Sequence, residues 1–237
     1  KANGTGVSNT AGTITSTVSA NTTSGFSIVK WTGDTTNATL GHGLGVAPKM
    51  IIRKFAGAVS DWPVYHVGLT SAAYAVYLNT TSAQGVTANA WNNTAPTSTV
   101  FSVGGVWNTA VTHVAYCFAE VPGYSKFGSY TGNGSLTEGA FVYCNFRPRW
   151  VLIKTSTLAG GAGWFLWDTA RDTYNKATLD ICVNQSSAED VISSNIDILS
   201  NGFKIRDSAG AGSTNGSGET YIYAAFAENP TKYSNAR

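Results

Sequence analysis

Charged side chains are scarce in this sequence. Asp, Glu, Lys and Arg make up 12% of the 237 residues, about half of the roughly 25% found in an average soluble domain. The formal net charge is +2, so no strong electrostatic attraction to nucleic acid is expected. Thr, Ser, Asn and Gly take the place of the charged residues, and this composition is typical of extracellular and virion β proteins.

Long apolar runs are also missing. No stretch approaches the about 20 apolar residues that a membrane-spanning helix needs, so no membrane insertion is expected. The first residues do not combine a basic segment with an apolar one, so they do not form a secretory signal peptide. The chain begins at Lys1 and not at a methionine, which suggests a fragment or a processed product.

Cysteine and histidine number three each. Cys117, Cys144 and Cys182 lie in apolar, strand-like runs without metal-ligand spacing, so buried thiols are favoured; one disulfide plus a free thiol is the alternative. His42 lies in a Gly-His-Gly-Leu-Gly run, which fits a β-turn better than an oxyanion loop because no Gly-x-Ser-x-Gly elbow accompanies it. No two histidines are close enough in sequence to suggest a zinc pair, and no metal or cofactor is predicted.

Acidic residues are too sparse to suggest a catalytic pair. Glu120 and Glu228 occupy matching positions in two similar phrases, and a duplicated glutamate is more easily explained by a structural ion pair than by catalysis. The charged run Asp168–Asp172 is interpreted as a local ion pair where a strand ends. The sequence therefore predicts a protein that is not an enzyme.

A repeated phrase organises the chain. Phe118-Ala119-Glu120 returns as Phe226-Ala227-Glu228, and further matches occur in the same order between the two halves of the chain: Gly25-Phe26-Ser27 with Gly123-Tyr124-Ser125, Trp31-Thr32-Gly33 with Tyr130-Thr131-Gly132, and Pro48–Lys54 with Pro148–Lys154. These matches predict an N-terminal arm or linker at 1–24, a first domain at 25–122, and a second domain at 123–237 that ends in a short tail.

Each repeat has the pattern of a β domain. Short runs of Val, Ile, Tyr, Phe and Trp alternate with Gly, Asn, Asp and Thr clusters; on 112–118, for example, His113, Ala115 and Cys117 share one face. The sequence predicts an all-β protein with two tandem, homologous antiparallel β-sandwich domains of jelly-roll-like form after an extended arm. One short helix is possible near 187–196.

Two of the seven tryptophans are candidates for glycan binding. Trp91 and Trp107 lie in polar, loop-like surroundings, where exposed rings can stack on sugars. Packing under a loop or at a subunit contact is the alternative for both.

Several phrases together carry a family resemblance. The sequence resembles the C-terminal region of tail-fibre-like or receptor-binding virion proteins of tailed bacteriophages, which often follows a lectin-like domain. The phrases are Gly25–Gly33, Gly41–Gly45, Trp91–Ser98, Lys126–Gly134, Trp167–Arg171 and Phe226–Pro230.

The resemblance implies a non-enzymatic protein of the virion surface that assembles with other virion proteins as a homo-oligomer, with a trimer favoured, and that attaches to the host, whose surface glycans are possible partners. A capsid decoration protein and a carbohydrate-binding adhesin are the alternatives.

Overall fold

The protein is built almost entirely of β-strands. The computed structural model describes residues 4–87, 89–135, 137–189, 195–206 and 214–229. The chain divides into two compact units: unit 1 is Lys1–Leu78 with Gln84–Val121, and unit 2 is Asn79–Ala83 with Pro122–Arg237. None of the described segments forms a helix that is long and apolar enough to cross a membrane.

In the part of unit 1 that the structure describes, there are ten strands and one turn of 3-10 helix at Gly105–Trp107. Eight strands form one antiparallel sheet in the order β1-β2-β3-β10-β5-β6-β7-β8, and β4 pairs with β9. The strands are β1 Val7–Asn9, β2 Ser16–Asn21, β3 Phe26–Thr32, β4 Ala38–Gly41, β5 Met50–Phe55, β6 Pro63–His66, β7 Tyr74–Tyr77, β8 Gly85–Val86, β9 Val100–Val103 and β10 Thr112–Phe118.

The segment expected to be an arm belongs instead to the first sheet. Strand β2 pairs with β3 along its length, and β1 pairs with β2. Val18 is 3% exposed, and the Ser16 hydroxyl donates to the Gly41 carbonyl at 3.1 Å. Ser16–Asn21 therefore forms a strand because the neighbouring strand β3 supplies its hydrogen-bonding partners.

The core of unit 1 lies between the large sheet and the β4–β9 pair. Alternate residues of β10 point into it, so His113, Ala115 and Cys117 are fully buried, as the sequence pattern predicts. Leu40 of β4 and Phe101 of β9 pack against this face from the other side. This two-layer arrangement is the predicted sandwich.

The described residues of unit 2 form eight strands in two antiparallel sheets. One sheet has the order β11-β18-β13-β14-β15 and the other β12-β17-β16. The strands are β11 Ser125–Thr131, β12 Phe141–Tyr143, β13 Pro148–Thr155, β14 Trp164–Asp168, β15 Ile181–Cys182, β16 Ile196–Leu199, β17 Gly202–Ile205 and β18 Thr220–Ala227.

Aromatic and aliphatic side chains from both sheets fill the core of unit 2. Ile153, Trp167 and Tyr221 of the five-stranded sheet face Phe203 of the three-stranded sheet across it. The helix suggested near 187–196 is only partly testable: Ile196 begins strand β16, and 190–194 lie outside the described residues.

The two units share a strand order. The run β3-β10-β5-β6-β7 of unit 1 has its counterpart in β11-β18-β13-β14-β15 of unit 2. Gly25 and Gly123, matched in the sequence, both adopt a positive φ, 63° and 74°, which favours glycine. The fold confirms the all-β class, and the common ancestry of the two units stays a prediction.

Candidate functional site

The most unusual side chain in unit 1 is a buried arginine, Arg53. Alternation along β5 places Ile51 and Arg53 on the same face of the sheet, and Ile51 lies in the apolar core. Arg53 has no exposed surface. Arginine is almost never fully buried unless its charge is paired, so the surroundings of this guanidinium decide what it can do.

Three aromatic rings surround the guanidinium. Its central carbon, Cζ, lies 5.3 Å from the ring centroid of Phe55, 5.5 Å from that of Trp91 and 5.6 Å from that of Trp107. The electron-rich faces of such rings attract a cation, and the attraction is stronger where water is excluded. We call Arg53, these three rings, Tyr77 and His113 the Arg53 cluster.

No described residue accepts a hydrogen bond from the guanidinium. Its Nε, Nη1 and Nη2 atoms are all buried without a partner. Burial lowers the pKa of Arg53 to about 9, and the nearby Tyr77 phenol acts in the opposite direction. The group is therefore still charged at neutral pH, and five N–H donors have nothing to bind.

His113 of β10 lies near Arg53 and contacts one of the three rings around it. Its ring packs edge-on against Phe55, with centroids 4.7 Å apart, and stacks on Trp31 at 4.9 Å. Its Nε2 lies 2.8 Å from the Thr109 carbonyl, so that nitrogen carries the proton, and the buried Nδ1 has no partner. Burial, together with the charge of Arg53, lowers the pKa of His113, so the imidazole is neutral.

The unpaired groups of the cluster are mostly donors. The guanidinium offers five donor hydrogens, and the Trp91 indole N–H is also buried without a partner among the described residues, against one unpaired acceptor at His113 Nδ1. A positive charge with so many unpaired donors is suited to binding an anion.

Other buried polar groups of unit 1 are paired. The Trp31 indole donates to Asn108 Oδ1 at 3.0 Å, and Asn108 Nδ2 donates to Asp34 Oδ1 at 2.9 Å and to the Thr36 carbonyl at 3.0 Å. Such pairing is the general rule for buried polar groups, and the guanidinium departs from it together with the Trp91 indole and His113 Nδ1.

Unit 2 has an apolar residue where unit 1 has Arg53. In the matched segments Pro48–Lys54 and Pro148–Lys154, Arg53 corresponds to Ile153, which is fully buried in the unit 2 core. The cross-strand neighbours agree with this match: Arg53 lies opposite Ala115 of β10, and Ile153 lies opposite Tyr223 of β18. Ala115 and Tyr223 are themselves equivalent, because each lies three residues before the Phe of the repeated Phe-Ala-Glu phrase. A strand in this position therefore does not require an arginine.

The two predicted glycan-binding tryptophans have different environments. Trp91 is 1% exposed and packs edge-on against Tyr65, so the expectation of an exposed ring there is wrong, because contacts with residues far away in sequence bury it. Trp107 is half-buried and stacks on Tyr77, with centroids 6.3 Å apart. The structure brings both tryptophans together around Arg53.

The other residues singled out from the sequence have structural roles. His42 is buried in a turn between Gly41 and Gly43, where its Nδ1 accepts from the Leu44 amide at 3.2 Å. Glu228 pairs with Arg147 at 2.9 Å, and Asp168 pairs with Arg171 at 3.0 Å, as expected for ion pairs at strand ends.

All three thiols are free and buried, which agrees with the prediction of buried thiols and excludes the disulfide. Burial raises the pKa of Cys117 to about 12, so this thiol is protonated at neutral pH. Among the residues that the structure describes, no three His, Cys, Asp or Glu side chains are grouped in a way that could hold a metal ion.

Sequence reasoning missed Arg53 because it stands in a mostly apolar run. The signal was available: in Met50–Phe55 the positions 51, 53 and 55 share one face, and a charge stands between Ile51 and Phe55. A lone arginine on the buried face of a central strand marks a position that apolar packing does not explain.

The fold and the site together define an all-β protein of two units, one of which contains a buried, donor-rich cationic cluster. A family described as a domain of unknown function, DUF7483, matches residues 1–230, and the chain belongs to this family. No curated protein matches the chain, and no solved structure matches it.

Proposed function

We propose that the protein is a virion-surface module of a tailed bacteriophage, in a tail fibre or a comparable attachment structure, and that it acts by binding. The proposal combines the phage-like phrases of the sequence with the all-β fold. The chain would assemble with other virion proteins as a homo-oligomer and contact the host surface.

The observation that carries the proposal is the repeated strand order of the two units. Each unit has its own apolar core, so each can present loops and strand faces on a stable framework. Several such units on neighbouring copies multiply weak contacts, and linked weak contacts reach a high overall affinity without a deep pocket.

Labelling of the source particles tests this proposal. Antibodies against the purified chain, followed by immunogold electron microscopy, are expected to label the tail or its fibres. Labelling of the capsid faces would instead identify a decoration protein. Chain that stays in the soluble fraction and never sediments with particles would contradict both roles.

A carbohydrate-binding adhesin is a second candidate, favoured by an exposed aromatic pair on β12. Phe141 and Tyr143 are 48% and 55% exposed and lie on the same strand face, while Val142 between them is buried. Two rings at alternate strand positions are about 7 Å apart, a spacing that suits stacking against neighbouring sugars.

A glycan array distinguishes this candidate. Binding that the Phe141→Ser, Tyr143→Ser double variant loses and the Trp91→Phe variant keeps would support the adhesin. Binding that the double variant keeps would exclude β12 as the sugar platform.

A further inference from the structure

We propose that the Arg53 cluster is a binding site for a carboxylate, and that an acidic sugar of the host surface supplies this group. The assignment of the carboxylate to a host sugar rests on the proposed attachment function. The carboxylate oxygens accept hydrogen bonds from the guanidinium fork, which no described residue of the chain occupies.

The guanidinium of Arg53 has more hydrogen-bond donors than the described residues around it can accept. Arg53 is fully buried, and its three nitrogens have no partner within the described parts of the chain. Two parallel N–H donors of a guanidinium match the two oxygens of a carboxylate, and such paired contacts are among the strongest hydrogen bonds in proteins. A ligand of this type would satisfy the donors that the fold leaves unpaired.

The charge of the cluster matches a monoanion. Within the described parts of the chain no acidic residue pairs with the guanidinium, and His113 is neutral, so the cluster has a single positive charge. Among these aromatic rings a monoanion gives a neutral pair, whereas a dianion such as hydrogen phosphate leaves one negative charge buried and uncompensated. The site therefore favours a carboxylate over a phosphate.

The aromatic rings around Arg53 differ in burial. Trp91 is fully buried, while Phe55, Tyr77 and Trp107 are half-buried and reach the surface. Since Arg53 itself has no exposed surface, the proposed ligand would have to enter from the side of these three rings and displace one of them. The body of an acidic sugar would then lie at the rim, where Trp107 can stack on it while the carboxylate points inward.

Unit 2 has an aliphatic residue at the position that corresponds to Arg53. Ile153 occupies the matching position and packs in the core without any polar group. Since the strand is compatible with an aliphatic residue there, the cost of burying an unpaired guanidinium in unit 1 calls for an explanation other than folding. Ligand binding supplies one, because a bound anion removes that cost.

The test is a titration of the full chain after dialysis into carboxylate-free chloride buffer at constant ionic strength. Acetate, glucuronate, glucose and phosphate are added separately, and binding is followed by calorimetry and by tryptophan fluorescence, since two tryptophans contact the guanidinium. We expect saturable binding of acetate and tighter binding of glucuronate, weak binding of phosphate, and none of glucose.

Three variants locate the site. Arg53→Met is expected to weaken carboxylate binding by at least about tenfold, because it removes charge-assisted hydrogen bonds. Arg149→Met removes an exposed arginine of unit 2 and is expected to change nothing. Trp107→Ala is expected to reduce the advantage of glucuronate over acetate, because it removes the ring on which the sugar would stack.

The outcomes are separable. No saturable binding of either carboxylate to the wild-type chain would overturn the site, and so would equal binding by the Arg53→Met variant. Acetate that binds as tightly as glucuronate would overturn the acidic sugar as the source. A positive titration with a chain that is absent from phage particles would retain the carboxylate site and refute the virion role instead, so the two proposals fail independently.

Discussion

Replacing Arg53 by methionine should stabilise unit 1 in the absence of a ligand. Methionine is unbranched like arginine and fills much of the same space, but it buries no charge. A guanidinium whose pKa falls from its ordinary value to about 9 has its charged form destabilised by about 5 kcal/mol relative to water. The three ring contacts lie near the limit of about 6 Å for such interactions and offset part of this, at about 0.5–1.5 kcal/mol each.

The expected net change follows from these opposing terms. We expect Arg53→Met to raise the free energy of unfolding by about 1–3 kcal/mol, in line with the gain of up to about 4 kcal/mol seen when buried charges are replaced by apolar residues. The melting temperature of the unit 1 transition should rise by roughly 4 °C per kcal/mol.

The sign of the pH dependence is a second readout of the same change. From pH 9 up to the ordinary pKa of arginine the folded protein holds fewer protons at Arg53 than the unfolded chain does. The contribution of this group to the free energy of unfolding therefore rises with pH in that window, and the full penalty is present below about pH 9. The difference between wild type and variant should be constant from pH 7 to 8, above the range in which His113 titrates.

Urea denaturation followed by tryptophan fluorescence, in carboxylate-free buffer, measures the effect. Ile153→Met at the matching position of unit 2 is the control, and it should cost no more than about 1.5 kcal/mol, because it nearly conserves volume. A loss of about 3 kcal/mol or more in Arg53→Met would refute the reasoning, since it would mean that the guanidinium has a stabilising partner within the folded protein.

Three further predictions concern other buried or paired side chains. Trp91→Ala should lower the free energy of unfolding by about 3–5 kcal/mol in urea, because it removes a fully buried ring; a loss under about 1 kcal/mol would contradict its core position. Glu228→Gln should cost no more than about 1 kcal/mol by the same measurement, since its ion pair with Arg147 is about one-third exposed. Burial lowers the pKa of Lys154 to about 8, so from pH 8 to 10.5 this group holds fewer protons in the folded than in the unfolded state, and its contribution to stability rises with pH. The melting temperature of wild type relative to Lys154→Met should therefore increase over that window. A constant difference between the two would exclude the lowered pKa.

The strands were the most predictable part of the fold. In β10 a strict alternation of buried and half-buried residues follows from the sequence pattern, because successive side chains of a strand point to opposite faces. The N-terminal segment was less predictable. Its residues are polar and small, and Ser16–Asn21 becomes a strand because β3 offers it a hydrogen-bonding edge that lies beyond the segment itself.

The candidate site was the least predictable part. Trp91 has polar neighbours in sequence, which indicated an exposed loop, yet contacts with Tyr65 and Arg53 bury its ring. These contacts join residues that are far apart in the chain, so no local pattern reports them. Arg53 itself could have been singled out because it shares a strand face with Ile51 and Phe55 in β5. Its lack of partners, however, is a property of the packed structure alone.

The large sheet of unit 1 ends in two very short strands, β1 of three residues and β8 of two. A sheet edge exposes unpaired backbone N–H and C=O groups, and a long one can pair with the edge of another molecule. Edges this short offer only a few such groups. Many copies of this sheet can therefore be held side by side at high local concentration without joining into a continuous fibre.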